Sequence, residues 1–182
     1  PRPEGYSIGM RLNGRYAWEW NHFGHNALQV DDYGLRHCGG EFVTASGLTF
    51  ATPVQGPNAV TVSLWDNFPT KVEIPLSGCA RELDVLLCGT THAMQSYVVN
   101  ARLNVIYEDG SEETAELIPP VNFDDFLIAA FQERNETVYF SDGTHGLVQK
   151  IALNPEKTLR AFSVEAIANE VIVNILALML RK

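Results

Sequence analysis

Positive charge is scarce in this chain. Thirteen Lys and Arg stand against 22 Asp and Glu, leaving a net charge of −9 at neutral pH. That balance repels a phosphate backbone and an anionic lipid surface, so nucleic acid is excluded as an expected partner. Charge of either sign is also sparse, at 19% of residues against the roughly 25% of typical soluble domains, while 46% are apolar. Intrinsic disorder is thereby excluded.

Cysteine is limited to Cys38, Cys79 and Cys88, so at least one thiol lacks an intramolecular partner. The paired short intervals of a zinc site are missing. With residues 81–87 extended at about 3.3 Å per residue, Cys79 and Cys88 fall at opposite ends of a strand. That separation exceeds the roughly 7 Å that a disulfide spans between Cα atoms, and only a bridge to Cys38 stays open. The redox state of Cys38, Cys79 and Cys88 is undecided at this level, and with it the compartment.

No basic stretch followed by an apolar one opens the chain, and the first residue is Pro1. A targeting segment is therefore absent or already removed, or the chain is a piece of a longer protein. The longest apolar region, Ala161 to Leu180, carries Ser163, Glu165, Asn169, Glu170 and Asn174. Hydrocarbon would make those residues costly, so the region reads as core and no membrane span is expected. Sequence repeats, low-complexity tracts and long linkers are also missing. Residues 1–182 are accordingly read as a single β-sandwich domain, a fragment or module of a larger protein. A chain of this length can bury about 70% of the surface exposed when unfolded.

What is present is alternation with period two, the mark of strands with one face in a core. From Tyr97 to Tyr107, the residues Tyr97, Val99, Ala101, Leu103, Val105 and Tyr107 share one side, with Asn100, Arg102 and Asn104 on the other; Val98 and Ile106 break the pattern. Shorter runs are predicted at 6–12, 15–20, 41–44, 59–65, 71–76, 82–87, 114–118, 137–140, 146–153, 159–168 and 171–180. The turn pairs Asn13-Gly14, Asp109-Gly110, Asp142-Gly143 and Asn154-Pro155 lie between them. In the last run Ala, Leu, Met and Glu favour helix, but β-branched Val171, Ile172, Val173 and Ile175 favour strand. Many short strands with turns between them predict an all-β fold, a two-sheet antiparallel sandwich of the jelly-roll kind.

Asn13-Gly14 between two alternating runs predicts a hairpin with a two-residue loop. That register sets Leu12 opposite Arg15, Met10 opposite Ala17 and Ile8 opposite Glu19. Tyr6, Ile8, Met10 and Leu12 then line one face, and Tyr16, Trp18 and Trp20 line the other, beside Ser7, Gly9 and Arg11. A flat aromatic row with polar neighbours suits sugar rings, whose C–H faces stack on aromatics while charged groups bind the hydroxyls. The plainer reading packs the same rings against a second sheet or a neighbouring domain, since aromatics usually serve cores.

Other groupings carry weaker chemical signals. His22 and His25 lie three apart in a presumed loop, without helical geometry or a third ligand, so no metal site is expected. Asp31-Asp32 and Asp124-Asp125 carry oxygen chemistry suited to a structural Ca²⁺ but lack the spaced ligands of an EF-hand, and no cofactor is expected. Neither doublet forms a glycosidase acid–base pair, since adjacent strand residues point to opposite faces. There is no Gly-x-Ser-x-Gly elbow and no glycine-rich phosphate loop, and Cys88 in an apolar strand reads as a small hydrophobe. Asn135-Glu136-Thr137 matches a glycosylation sequon. Trp65-Asp66-Asn67-Phe68-Pro69 ends a strand and is a natural ligand rim, while in Gly89 to Gln95, which follows another strand, Thr90, Thr91, His92 and Gln95 offer donors and acceptors that hydrogen bonding within the loop would use. Trp65 falls out of phase with Val60, Val62 and Leu64, which permits exposure.

Several segments, taken in order, resemble a known family. They are Ser63-Leu64-Trp65-Asp66-Asn67-Phe68-Pro69, Ile74-Pro75-Leu76-Ser77-Gly78, Leu86-Leu87-Cys88-Gly89-Thr90-Thr91-His92-Ala93-Met94-Gln95, Tyr107-Glu108-Asp109-Gly110 and Ala168-Asn169-Glu170-Val171. Over residues 28–180 the chain is similar to galactose-binding-domain-like jelly-roll modules, most of all those attached to glycosidase-like bacterial proteins. The resemblance implies a sandwich fold and an accessory place beside a catalytic domain, in an exported, extracytoplasmic carbohydrate-degrading protein. The expected function is a noncatalytic carbohydrate-binding-like module. Trp18, Trp20 and Trp65 would stack on a glycan, and Arg11, Asp66, Asn67 and Gln95 would make polar contacts. The alternatives are a structural module docking on an adjacent catalytic domain or on a second copy, and a small hydrolase using loop carboxylates with His22 or His25.

Overall fold

A computed structural model describes residues 9–10, 17–18, 27–28, 32–64, 68–91, 93–126, 135–141, 144–169 and 171–182. Three short strands come first, β1 (Gly9–Met10), β2 (Ala17–Trp18) and β3 (Ala27–Leu28). A short helix, α1 (Tyr33–His37), precedes the hairpin of β4 (Glu41–Val43) and β5 (Thr49–Ala51). Then come β6 (Ala59–Ser63), β7 (Lys71–Pro75), β8 (Glu82–Thr90), β9 (Ala101–Tyr107) and β10 (Glu112–Leu117). The chain continues through β11 (Glu136–Ser141), β12 (Thr144–Ala152), β13 (Leu159–Ala166) and β14 (Ile172–Arg181).

These strands build an all-β, antiparallel architecture. One sheet has the order β1-β6-β14-β8-β12-β11, and the other β10-β9-β13-β7; β2 with β3 and β4 with β5 form two-stranded ribbons. Between the two large sheets lies the main core. Val62, Leu83, Val85, Leu87, Leu147, Val173 and Ile175 come from one sheet, and Ala101, Leu103, Val105, Tyr107, Phe162 and Val164 from the other. The alternation at 101–107 therefore has its cause: every second residue of β9 enters this layer.

β8 has apolar residues on both faces because both faces are covered. Leu83, Val85 and Leu87 enter the main core, while Leu86 and Cys88 enter a second cluster on the outer face of the six-stranded sheet. There α1 and the β4–β5 hairpin bring Leu35 and Phe50 against Phe140, Val148 and Ile172. Burying Leu35 and Phe50 contributes roughly 3–6 kcal/mol to holding this added layer in place. A five-residue helix has no stability of its own. It is anchored by Leu35 and by Arg36, whose Nε meets Asp32 Oδ2 at 2.9 Å and whose Nη1 donates to Pro53 O at 3.1 Å. Asn58 Nδ2 donates to the same Asp32 oxygen at 2.8 Å.

Several sequence expectations change. The strand predicted from Tyr97 begins only at Ala101. Tyr97 has a φ of 59°, and the buried side chain of Asn100 takes the preceding backbone into a turn. Met10 pairs with Ala59 and Ala17 with Leu28, in separate sheets, rather than with each other. The open edge of β6 competes for β1 more effectively than a local turn signal does. β8 runs on to Thr90, past the predicted end at Leu87, because Gly89 lets Ile172 O and the Phe123 ring come close. A Cβ there would lie 2.5 Å from each. The 171–180 segment is strand, as β14.

β6 is not half-open either. Ala59, Thr61 and Ser63 are buried alongside Val62, with Thr61 Oγ1 donating to Asn174 Oδ1 at 2.7 Å and Ser63 Oγ to Val171 O at 2.6 Å. Among the described residues no helix is long and apolar enough to cross a membrane.

Candidate functional site

Strand register places several connections at one end of the sandwich. Ser63, Ile172 and Thr90 lie in one row of the six-stranded sheet, and Leu117, Ala101 and Ala166 in one row of the other. Hydrogen bonds from Ala166 N to Thr70 O and from Ile167 N to Asn100 O, each 2.9 Å, extend the second row at this end. The connections 64–70, 91–100, 118–126 and 167–171 therefore converge here.

Asn100 holds the 91–100 connection in shape. It is fully buried; its Nδ2 donates to Gln95 O at 2.9 Å and Val98 O at 3.0 Å, and its Oδ1 accepts from Thr91 Oγ1 at 2.5 Å. Its own carbonyl accepts from Ile167 N and Ala168 N. Because the polar groups inside the loop are satisfied by one side chain, the outside of the loop is free to be apolar. Met94, Tyr97 and Val98 are 72%, 77% and 48% exposed, and Gln95 between them is half-buried. Tyr97 N donates to Pro119 O at 2.6 Å, which fixes the tyrosine backbone against the 118–126 connection. A tyrosine in the left-handed region is rare and costs on the order of 1–3 kcal/mol, so the surrounding hydrogen bonds must enforce it.

Carboxylates near this end are taken up by protein donors. Asp124 Oδ1 meets His145 Nε2 at 3.0 Å, both nearly fully buried, and Asp125 Oδ2 accepts from Thr91 N at 3.3 Å. Asp32 is buried at the start of α1, engaged by Arg36 and Asn58. Among the described residues no three His, Cys, Asp or Glu side chains gather in a way that would hold a metal ion. Burial pushes the Cys88 thiol up to about 12, in keeping with a packing role. The three described cysteines Cys38, Cys79 and Cys88 are all free thiols.

Of the residues singled out in the sequence, Gln95 sits at this end. Trp65, Asp66, Asn67 and His92 lie outside the described residues, but the flanks of the 65–67 segment are fixed here, with Ser63 N donating to Pro69 O at 3.1 Å. Trp18 is in β2, paired with Ala27, in a ribbon separate from both large sheets. Arg11, Trp20, His22, His25 and Asp31 lie outside the described residues. The sequon asparagine Asn135 is buried, and its Nδ2 donates to Asn122 O at 2.6 Å and Gln149 Oε1 at 3.1 Å. An N-linked glycan on that nitrogen is incompatible with this fold.

Sequence reasoning missed Tyr97, because its parity with Ala101 and Leu103 assigned it to the core. The signal that could have found it is Asn100, a residue that favours turns and breaks alternation with its own hydrogen bonds. A second exposed aromatic group was missed as well: Tyr33, stacked on His37 with ring centroids 3.8 Å apart, and Tyr139 on β11. No family model, curated protein or solved structure matches the chain.

Proposed function

We propose that this chain is a noncatalytic carbohydrate-binding-like accessory module, with jelly-roll connectivity, of a larger extracytoplasmic glycan-processing protein. The observation that carries this reading is the rim at one end of the sandwich. There a rigid loop displays an exposed tyrosine beside Gln95, and the connection bearing Trp65, Asp66 and Asn67 has its flanks. An aromatic face with amide neighbours is the chemistry that sugar C–H faces and hydroxyls require. The buried carboxylates support binding over hydrolysis, since Asp124 and Asp125 are already engaged by His145 and Thr91. A glycan array probed with the isolated chain tests the reading: retention of neutral oligosaccharides is expected, and an empty array overturns it.

A second reading has its own observation. Met94 and Val98 are aliphatic and exposed next to Tyr97. A neighbouring catalytic domain or a second copy of the chain would bury such side chains as readily as a sugar would cover the ring. Loss of that exposure on mixing with the parent protein, without any glycan retention, would favour docking.

A further inference from the structure

A groove runs from this rim down the side of the sandwich, between β10, the edge of the four-stranded sheet, and β12 of the six-stranded sheet. Its volume of about 430 Å³ lies within the roughly 300–1,000 Å³ of small-molecule sites. Thr114, Glu116, Ile118, Val121, Asn122 and Gln149 line it. The backbone of Tyr97 is tied near its upper end, since Tyr97 N donates to the carbonyl of Pro119, the residue next to Ile118.

The polar groups in this groove are held in place and still have capacity. Asn122 Oδ1 accepts from Ile118 N at 2.8 Å, and its Nδ2 donates to Glu116 O at 2.8 Å and Gln149 Oε1 at 3.1 Å. Among the described residues Gln149 Nε2 donates once, to Lys150 O at 2.9 Å, which leaves its second N–H to offer from a residue only 8% exposed. Glu116 receives Arg102 Nε on Oε1 at 3.2 Å, leaving Oε2 as an acceptor, and Thr114 Oγ1, which donates to Asn104 Oδ1 at 2.9 Å, can still accept. The lining thus offers one donor, on Gln149, and two acceptors, on Glu116 and Thr114, beside the apolar Ile118 and Val121, the kinds of group that a ring with hydroxyls on its edge and C–H groups on its faces requires.

From these observations we infer that Tyr97 and this groove form a subsite for one neutral pyranose unit of a glycan. Tyr97 stacks on the sugar face at the groove mouth, while Glu116, Thr114 and Gln149 bind hydroxyls. Neutral sugars are selected because Glu116 faces the groove and the chain carries a net charge of −9, which repels uronic or sulfated units. The subsite rests on the carbohydrate-binding reading above, and the experiment separates the two.

The test is affinity electrophoresis in native gels cast with galactomannan, arabinogalactan, arabinoxylan or polygalacturonate. The chain should be retarded by at least one neutral polymer and not by polygalacturonate. Tyr97→Ala should weaken the retention constant roughly tenfold, the scale of one lost stacking contact. Tyr97→Phe should retain it, Glu116→Gln should weaken it severalfold, and Tyr33→Ala, at an exposed tyrosine of α1 on the outer layer, should match the wild type. Far-UV circular dichroism confirms that each variant is folded; should Tyr97→Ala not fold, Glu116→Gln with Tyr97→Phe decides. Retardation unaffected by Tyr97→Ala and Glu116→Gln overturns the subsite while leaving carbohydrate binding intact. Retardation by polygalacturonate alone overturns the subsite, and no retardation by any polymer overturns both.

Discussion

The hydroxyl of Thr91 donates to Asn100 Oδ1 at 2.5 Å, closing the ends of the rim loop on each other. Asn100 also holds Gln95 and Val98 through its amide. Replacing it by Ala removes three hydrogen bonds and leaves buried groups without partners. At about 1 kcal/mol net for each bond, Asn100→Ala should destabilise the fold by roughly 2–4 kcal/mol. Urea unfolding measures the change in midpoint, and hydrogen exchange at residues 93–100 should accelerate. An unchanged midpoint would show that the loop is held by its backbone alone.

Glu136 clasps the β4–β5 hairpin to β11. Its carboxylate accepts from Ser46 N at 3.0 Å, from Ser46 Oγ at 2.5 Å and from Thr44 Oγ1 at 3.2 Å. Burial by itself would raise this carboxyl, but the hydrogen bonds from Ser46 and Thr44 together hold it below its ordinary value of 4.5. A carboxyl whose folded pKa is depressed adds stability above its unfolded pKa, and that stability is lost as pH falls through the folded value. Glu136→Gln should therefore destabilise at pH 7 by about 1–2 kcal/mol, and the difference from wild type should shrink below about pH 4.5. Asp84 has the opposite sign: burial raises its carboxyl, so its protonation favours the folded state as pH falls. Glu136 itself helps to raise Asp84, so Glu136→Gln also eases that rise, and Asp84→Asn in both chains isolates the clasp from pH 7 to pH 3. A gap that stays constant across the range would rule out the clasp.

Much of this architecture is legible in the sequence because the main core is two-sided. β9 and β13 alternate since each has one face against the other sheet, and a period of two survives as a pattern in Ala101, Leu103, Val105 and Tyr107, whereas β12 also sends Val148 into the outer layer. The outer layer is another matter. Tyr33-Gly34-Leu35-Arg36-His37 is too short for a helical period to show, and its conformation comes from long-range partners at Pro53, Asn58 and Phe140. At the rim, strand ends pointed to the connection that holds Gln95. Tyr97 was hidden because its exposure depends on a turn that Asn100 makes through side-chain bonds, a tertiary fact with no period to reveal it. The groove was equally hidden, since Glu116 of β10 and Gln149 of β12 line one cavity only when the two sheets are assembled.

At Gly34 two effects oppose each other. In a helix interior Ala is favoured over Gly by about 1 kcal/mol, so Gly34→Ala would stabilise α1 if propensity decided. A Cβ at Gly34, however, would lie 2.3 Å from the backbone oxygen of Phe140, which cannot rotate away. Overpacking against backbone costs about 1–3 kcal/mol, so the clash should win and α1 should lift from β11. The expected outcome is a net loss of stability in denaturant unfolding, with faster hydrogen exchange in α1. A stabilised variant would mean that α1 does not seat against β11 as described.

The three thiols should differ in reactivity by position alone. Cys79 is exposed, with its Sγ 4.0 Å from Thr158 Oγ1, whereas Cys38 is partly covered between Leu35 O and Thr52 Oγ1, each 3.2 Å away. Cys88 is buried in β8, and burial pushes its thiol up to about 12. Near neutral pH the Cys88 thiol therefore stays protonated, and the thiolate is the form that reacts. Iodoacetamide applied to the native chain should therefore label Cys79 first, Cys38 slowly and Cys88 only after unfolding, as read by peptide mass spectrometry. In denaturant without reductant all three should react. A missing equivalent there would reveal a disulfide, and early labelling of Cys88 would show that the outer layer over Phe50 and Leu86 is open.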